Sequence, residues 1–362
     1  MTSGLESLGF DADRRSQTQS ALRELSPENI DGIRAARIIF ESRDLYRVHD
    51  GRVERRAVPA GRLRLAGASA KPVVGDWVLI DSVDAESCRI VALLPRRTCL
   101  SRNEAGQRTA EQVVAANVDT VFLVMGLDGD FNLRRLERFA VMAAESGADP
   151  VVVLTKQDLH EDPVGARLDA QGVVPGVPVL TVCAPSDEGL APLRAFLEPG
   201  RTVALLGSSG VGKSTLLNAL DGREHMRTGA VRGGDDRGRH TTTHRQLVPL
   251  AGGGLLVDNP GVREIQLWAD EETLAQAFDD IAQLAAACRF RDCGHVGEPG
   301  CAVEEAVRQG SLDPQRLRNW RDMEKEVQAL ERRRNVAEQR REDKRLGKLY
   351  KRVQAEKAGR RR

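Results

Sequence analysis

The sequence predicts a multidomain protein: a small β-barrel, then an α/β domain whose parallel sheet is covered on both faces, then a helical module with a cysteine cluster. Three observations predict it. Short β-like runs separated by Gly, Asp and Ser turns occupy residues 37 to about 100. From about residue 113, near-continuous Val/Leu runs alternate with amphipathic helical patterns, as parallel strands buried on both faces require. Cys288, Cys293, His295 and Cys301 then gather after a helical stretch. A chain of 362 residues is too long for one ordinary core. The expected divisions are 1–34 for an N-terminal extension, 35–105 for the barrel, 106–268 for the α/β domain and 269–362 for the helical module with its basic tail.

With 41% hydrophobic and 30% charged residues and no apolar run of membrane-spanning length, the chain reads as soluble and without a membrane partner; a monomer is expected. Its start, MTSGLESLGFDADRRSQ, has no apolar core followed by a small-residue cleavage site, so a cytoplasmic protein is expected. A net charge of +1 hides a tail in which bases outnumber acids. Six cysteines are too few for a disulfide scaffold in a chain of this length.

Taken in order, residues 1 to about 30 are polar and without steady periodicity, so a mobile extension with no assigned function is expected. ARIIF, LYRVH, GRLRLAG, DWVLID and RIVALL are the barrel strands. Phe40, Tyr46, Arg62, Arg64 and Trp77 fit either nucleic-acid contacts or ordinary barrel core and rim. The α/β domain runs through VDTVFLVM, the helix NLRRLERFAVMAAES, DPVVVLT, a second helix, VPVLTV, APLRAFL and TVALLG, and closes with HRQLVPL and GGLLVD around a Gly turn. EETLAQAFDDIAQLAAA opens the helical module. A later helix, from Pro314 to about Ala355, is basic around much of its circumference and suits either solvent or RNA.

Chemistry concentrates in four motifs. Gly207, Ser208, Ser209, Gly210, Val211, Gly212, Lys213, Ser214 and Thr215 form a P-loop between the strand TVALL and the helix STLLNAL. Its glycines let the backbone wrap a phosphate, Lys213 reaches the β- and γ-phosphates as the catalytic cation, and Ser214 offers its hydroxyl to Mg²⁺. Asp258, in Asp258-Asn259-Pro260-Gly261, stands at a strand tip where it can hold Mg²⁺ through water, and the Gly261 N–H can sense the γ-phosphate. Thr155, Lys156 and Asp158 follow the strand VVVL: a carboxylate there accepts the ring N–H and exocyclic amine of guanine, a donor pair that adenine lacks, while the lysine stem lies along the base. Cys183 and Ala184, after the strand VPVL, are placed to offer backbone N–H groups to the guanine carbonyl.

Between the P-loop and Asp258 lies a Gly- and charge-rich segment ending in HTTTH. One of Thr241, Thr242 or Thr243 is expected to close on Mg²⁺, with the middle one, Thr242, taken as the ligand. Because Val262 has no amide or hydroxyl to orient water, a histidine beside the threonines is expected to do so, and His240 is preferred over His244 for its place in the Gly/Arg-rich segment before them. Cys288, Cys293, His295 and Cys301 suit one structural, tetrahedral Zn²⁺ with no open position.

The base-reading loop precedes the P-loop, the reverse of the ordinary GTPase order, so the α/β domain is predicted to be a circularly permuted P-loop GTPase binding GTP or GDP with Mg²⁺. A metabolic P-loop ATPase or kinase, or an RNA-binding module with structural nucleotide, are the competing readings. PVVGDWV, AANVDTVFLVM, DFNLRRLERF, TKQDL, GSSGVGKSTLLNAL, GRHTTTHR, DNPG and the Cys/His pattern together resemble the ribosome small-subunit-dependent GTPases, the RsgA family. The resemblance covers roughly residues 35 to 310. It implies an OB-type barrel, a permuted GTPase domain, a C-terminal zinc domain, and action late in maturation of the small (30S) ribosomal subunit, which binds through its rRNA and stimulates hydrolysis. Asn259 and Val262 depart from that family's usual DTPGF, and Cys183 stands where serine is usual.

Overall fold

The computed structural model describes residues 4–25, 32–42, 45–64, 71–103, 111–222, 244–258 and 269–333. They divide into two compact units: residues 1–102 with 112–266, and residues 103–111 with 267–362. Among them no helix is long and apolar enough to cross a membrane.

In the first unit, a 3-10 turn at Glu6–Leu8 and helix α1 (Ala12–Arg23) precede strands β1 (Arg34–Ser42), β2 (Leu45–His49) and β3 (Glu54–Pro59). One helical turn, α2 (Gly61–Arg64), leads to β4 (Trp77–Ser82) and β5 (Ser87–Leu93). The five strands close on themselves in the order β1-β2-β3-β5-β4, with β4 returning to β1. Ile38, Tyr46, Val48, Val78, Ile80 and Ile90 fill the barrel. Tyr46 and Trp77 are buried, so for these two the core role holds rather than nucleic-acid contact. GRLRLAG is not the strand expected: its Gly61–Arg64 portion turns helical, and Glu54–Pro59 supplies the barrel strand instead.

A ribbon of β6 (Cys99–Asn103) and β7 (Glu111–Ala116) leads into β8 (Thr120–Gly126), α3 (Leu133–Ser146), β9 (Asp149–Thr155), α4 (Pro163–Val173) and β10 (Val179–Thr181). Then come the short α5 (Ala191–Arg194), β11 (Thr202–Leu206), α6 (Lys213–Asp221), β12 (His244–Pro249) and β13 (Leu255–Asp258). Strands β10, β9, β8, β11 and β13 lie side by side and parallel, over a core that includes Phe122, Val124, Val151, Val153, Val203 and Leu216. β12 pairs antiparallel with β13 as the HRQLVPL and GGLLVD reading expects, and on its other side with β1. The sheet thus runs on into the barrel, with Glu41 and Arg245 paired across the seam at 3.2 Å.

Residues 4–25 are packed, contrary to the expectation of a mobile extension. Phe10 meets Trp77 edge-on at 5.0 Å. The Arg14 guanidinium donates to the Pro95 carbonyl at 2.6 Å and to Asn117 Oδ1, and Arg37 donates to the carbonyls of Leu8, Gly75 and Asn117. Burial pushes the Arg37 guanidinium down to about 10. Anchoring through buried arginines leaves no hydrophobic periodicity to read, which is why the sequence looks like an unattached tail.

The second unit contains α7 (Glu271–Ala277), α8 (Asp279–Ala286), α9 (Ala302–Arg308) and a helix α10 followed over residues 314–333. Phe278, Ile281, Val303, Leu317, Met323 and Val327 are buried within it. Arg316 forks onto both carboxylate oxygens of Asp280 at 2.8 and 2.9 Å while lying over the Phe278 ring.

Candidate functional site

Parallel strands all point the same way, so the loops after β8, β9, β10 and β11 and the end of β13 at Asp258 share one edge of the sheet, where open α/β sheets bind ligands. The P-loop is the one that follows β11. At Gly207 a β-carbon would stand 2.3 Å from the Val124 carbonyl oxygen, so only glycine lets the chain leave β11 against β8. Gly210 (φ 83°) and Gly212 (φ 92°) take the left-handed conformation, and α6 starts directly after, which turns a helix N-terminus toward the hollow of the loop. Val211 is buried in the core and fixes the loop from beneath. The Lys213 ammonium donates to the Gly207 carbonyl at 2.7 Å and to that of Ser208, so it lies across the loop that Ser208, Ser209 and Gly210 form. Ser214 and Thr215 follow in the first turn of α6.

The β9 loop is tied to the P-loop by side chains. Thr155 Oγ1 donates to the Val211 carbonyl at 2.6 Å. Lys156 takes a left-handed backbone (φ 58°, ψ 38°), and its ammonium donates to the Gly210 carbonyl at 2.8 Å and to the Asp128 carboxylate. That ammonium holds the Asp128 carboxyl below the usual carboxylate range. Asp158 is exposed in the turn Gln157–Leu159. After β10, Cys183 and Glu188 exchange backbone hydrogen bonds at 3.0 and 3.2 Å, so the Cys183 N–H is engaged within its own loop, and a one-turn helix starts at Ala184. Asp258 closes β13, with Gln246 Nε2 3.5 Å from its carboxylate.

The structure therefore brings Thr155, Lys156, Asp158, Cys183, Ala184, the P-loop and Asp258 to one sheet edge. His240, Thr241, Thr242, Thr243, Asn259, Gly261 and Val262 lie outside the described residues. Asp128 was not anticipated; the only signal for it is the turn-forming GLDGD directly after the strand VDTVFLVM.

In the second unit, the ligand atoms of Cys288, Cys293, His295 and Cys301 all lie within 4.8 Å of one another and could hold a metal ion. Cys288 follows α8 and Cys301 caps α9, its sulfur accepting from the Glu304 N–H at 3.4 Å. His295 is bent into the left-handed region (φ 57°) by a loop whose Gly294 and Val296 N–H groups both donate to Glu298. Its buried ring packs at 5.6 Å from Trp320.

Residues 93–268 match the RsgA GTPase family. A protein named small ribosomal subunit biogenesis GTPase RsgA from Opitutus terrae is 46% identical over 328 residues, covering 87% of this chain and 89% of its own. Its namesake from Xylella fastidiosa strain 9a5c is 49% identical, covering 81% and 86%. Among solved structures, YjeQ from Thermotoga maritima is similar with a TM-score of 0.62 and 28% identity, covering 82% of this chain and 98% of its own. YloQ, described as a circularly permuted GTPase, shares the fold with a TM-score of 0.59 over 84% of this chain and 98% of its own. Motifs, sheet topology and relatives agree, and the chain belongs to the RsgA GTPase family.

Proposed function

We propose that the protein is a GTP hydrolase acting late in maturation of the small ribosomal subunit, working as a cytoplasmic monomer whose turnover the subunit stimulates. The observation that carries this reading is the convergence of the P-loop, the Thr155–Asp158 loop and Asp258 on one sheet edge. Asp158 accepts the ring N–H and amine of guanine, Lys156 lays its stem along the base, and the Ala184 N–H meets the guanine carbonyl. Because the Cys183 N–H already serves Glu188, Ala184 is the stronger of that pair. Lys213 offsets charge on the β- and γ-phosphates, and the P-loop backbone orients them for in-line attack by water.

Ser214 and Asp258, with Thr242 from the segment outside the described residues, would hold Mg²⁺, which when bound neutralises charge at the transferring phosphate. His240 orients the attacking water, and Gly261 senses the γ-phosphate. In the second unit the metal is zinc. Bonds of about 2.3 Å to sulfur and about 2.05 Å to nitrogen in a tetrahedron give edges of about 3.8 Å between sulfurs and about 3.6 Å from sulfur to nitrogen. Cys288 and Cys301 sulfurs are 3.9 Å apart, and each is 3.5 Å from His295 Nδ1. With all four positions filled by protein, the ion is structural and leaves no place for substrate.

Nucleotide competition tests the base-reading assignment. GTP and GDP should displace a labelled guanine nucleotide while ATP does not, and Asp158→Asn should lose about a hundredfold in guanine affinity and gain affinity for xanthine nucleotides. Unchanged guanine preference in Asp158→Asn removes the Thr155–Asp158 loop from the base site.

A further inference from the structure

The Lys156 ammonium joins three segments that are distant in sequence: its own loop after β9, the P-loop through the Gly210 carbonyl, and the loop after β8 through Asp128. We propose that Asp128 is a positioning residue of the guanine site, holding the Lys156 ammonium on the P-loop so that the lysine stem is already laid out as the floor for the base before nucleotide arrives. This rests on the reading of Lys156 and Asp158 as guanine contacts.

Two features make Asp128 suited to the task. Its own loop is wound tightly around it: the carboxylate accepts the Asp130 N–H at 3.1 Å, and a β-carbon at Gly126 would lie 2.8 Å from Asp128 Oδ1. The Leu127 N–H donates to the Thr155 carbonyl at 2.8 Å, one residue before the lysine, so the carboxylate and the ammonium are presented by two strand ends already bonded to each other. Lys156 needs such a partner. Its side chain is 30% exposed, and a lysine stem with four rotatable bonds, tethered by one carbonyl alone, would swing into solvent and surrender its base-stacking position for much of the time. Asp128 is also about 30% exposed, so the pair works as an orienting clasp and not as a buried charge whose loss would break the fold.

The base is common to GTP and GDP, and the clasp bonds the P-loop at the Gly210 carbonyl, whereas the Lys213 ammonium bonds those of Gly207 and Ser208. Removing it should therefore weaken both nucleotides alike and leave the chemical step alone, the pattern of an interaction shared by ground state and transition state. The experiment is a thermodynamic cycle on the full chain, with fluorescent GDP and GTP analogues as probes and phosphate release as the kinetic readout. Asp128→Asn should raise Kd for both analogues and KM for GTP by about tenfold, with kcat at saturating GTP within about twofold of the parent. Asp128→Glu, which keeps the charge, should recover most of the affinity. Lys156→Met should bind weakly by itself, and adding Asp128→Asn to it should cost nothing further, because the carboxylate then has no ammonium to hold. Unchanged affinity in Asp128→Asn, a fall in kcat with KM intact, no recovery in Asp128→Glu, or additive losses in the double variant would each overturn the proposal. If Asp158→Asn shifts base preference as expected while Asp128→Asn does not respond, the clasp fails and the guanine reading stands; if neither responds, the guanine reading has failed.

Discussion

The candidate nucleotide site draws its residues from strand ends between Asp128 and Asp258, whereas the cysteine–histidine cluster lies wholly between Cys288 and Cys301. In the first, position comes from the sheet: parallel strands deliver loops to a common edge, and Gly207, Thr155 and Lys156 fasten one loop to another. In the second, position comes from a short loop with two helix ends and would be completed by the ion itself. A site built by a sheet is indifferent to the order in which the chain visits its strands, which is why a permuted chain can keep it. A site built by one loop has no such freedom, and its structure is inseparable from its ligand.

Substitutions can break that contrast. Lys213→Ala should have the largest effect, lowering single-turnover GTP hydrolysis by about a thousandfold or more while leaving the unfolding midpoint nearly unchanged, since its ammonium bonds the loop's Gly207 and Ser208 carbonyls, across which phosphate would lie. A parallel loss of stability would mean that the loop depends on its lysine as the cysteine–histidine loop is proposed to depend on an ion. His240→Ala should lower subunit-stimulated turnover by about a hundredfold at saturating GTP, with subunit binding measured separately and preserved. Unchanged turnover passes the role to His244 or to a group from the ribosome.

Chelation, or Cys288→Ser with Cys301→Ser, should remove about one zinc per chain by elemental analysis and loosen the second unit, seen as faster amide exchange around residues 288–301. GDP affinity should stay within about twofold and subunit-stimulated turnover should fall by about tenfold. Loss of GDP binding on chelation would show the two sites to be one. The smallest effect belongs to a surface latch of the nucleotide-bearing unit. Arg97 bonds both oxygens of Asp11, and it holds that carboxyl at about 2, below its ordinary 3.8. A depressed carboxyl adds stability above its ordinary value and loses it as pH falls from there toward about 2. Both side chains are well exposed, so Arg97→Ala should cost less than about 1 kcal/mol at neutral pH. The difference in urea midpoints should shrink as pH drops below 3.8.

What the sequence disclosed follows the same contrast. The P-loop is legible because its glycines and lysine are required locally, residue beside residue, and the Cys/His spacing is legible because the cluster is local. Contacts made only by folding were not. Lys156 and Asp128 are 28 residues apart, and nothing in either segment names the other. Glu54–Pro59 hid as a strand because its charged first half, Glu54-Arg55-Arg56, gives no apolar run, while the Leu and Arg of Gly61–Arg64 serve a helical turn as well as a strand. The packing of residues 4–25 rests on Arg14 and Arg37 buried against carbonyls, and a charged side chain in a sequence is ordinarily read as surface.

Phosphate release from GTP by the full chain, with and without saturating small ribosomal subunits, tests the central claim most directly. Slow release by the protein alone, rising by about a hundredfold or more with subunits and absent with ATP, is the predicted result. Release that subunits leave unchanged, or equal release from ATP, would contradict a subunit-stimulated, guanine-specific hydrolase.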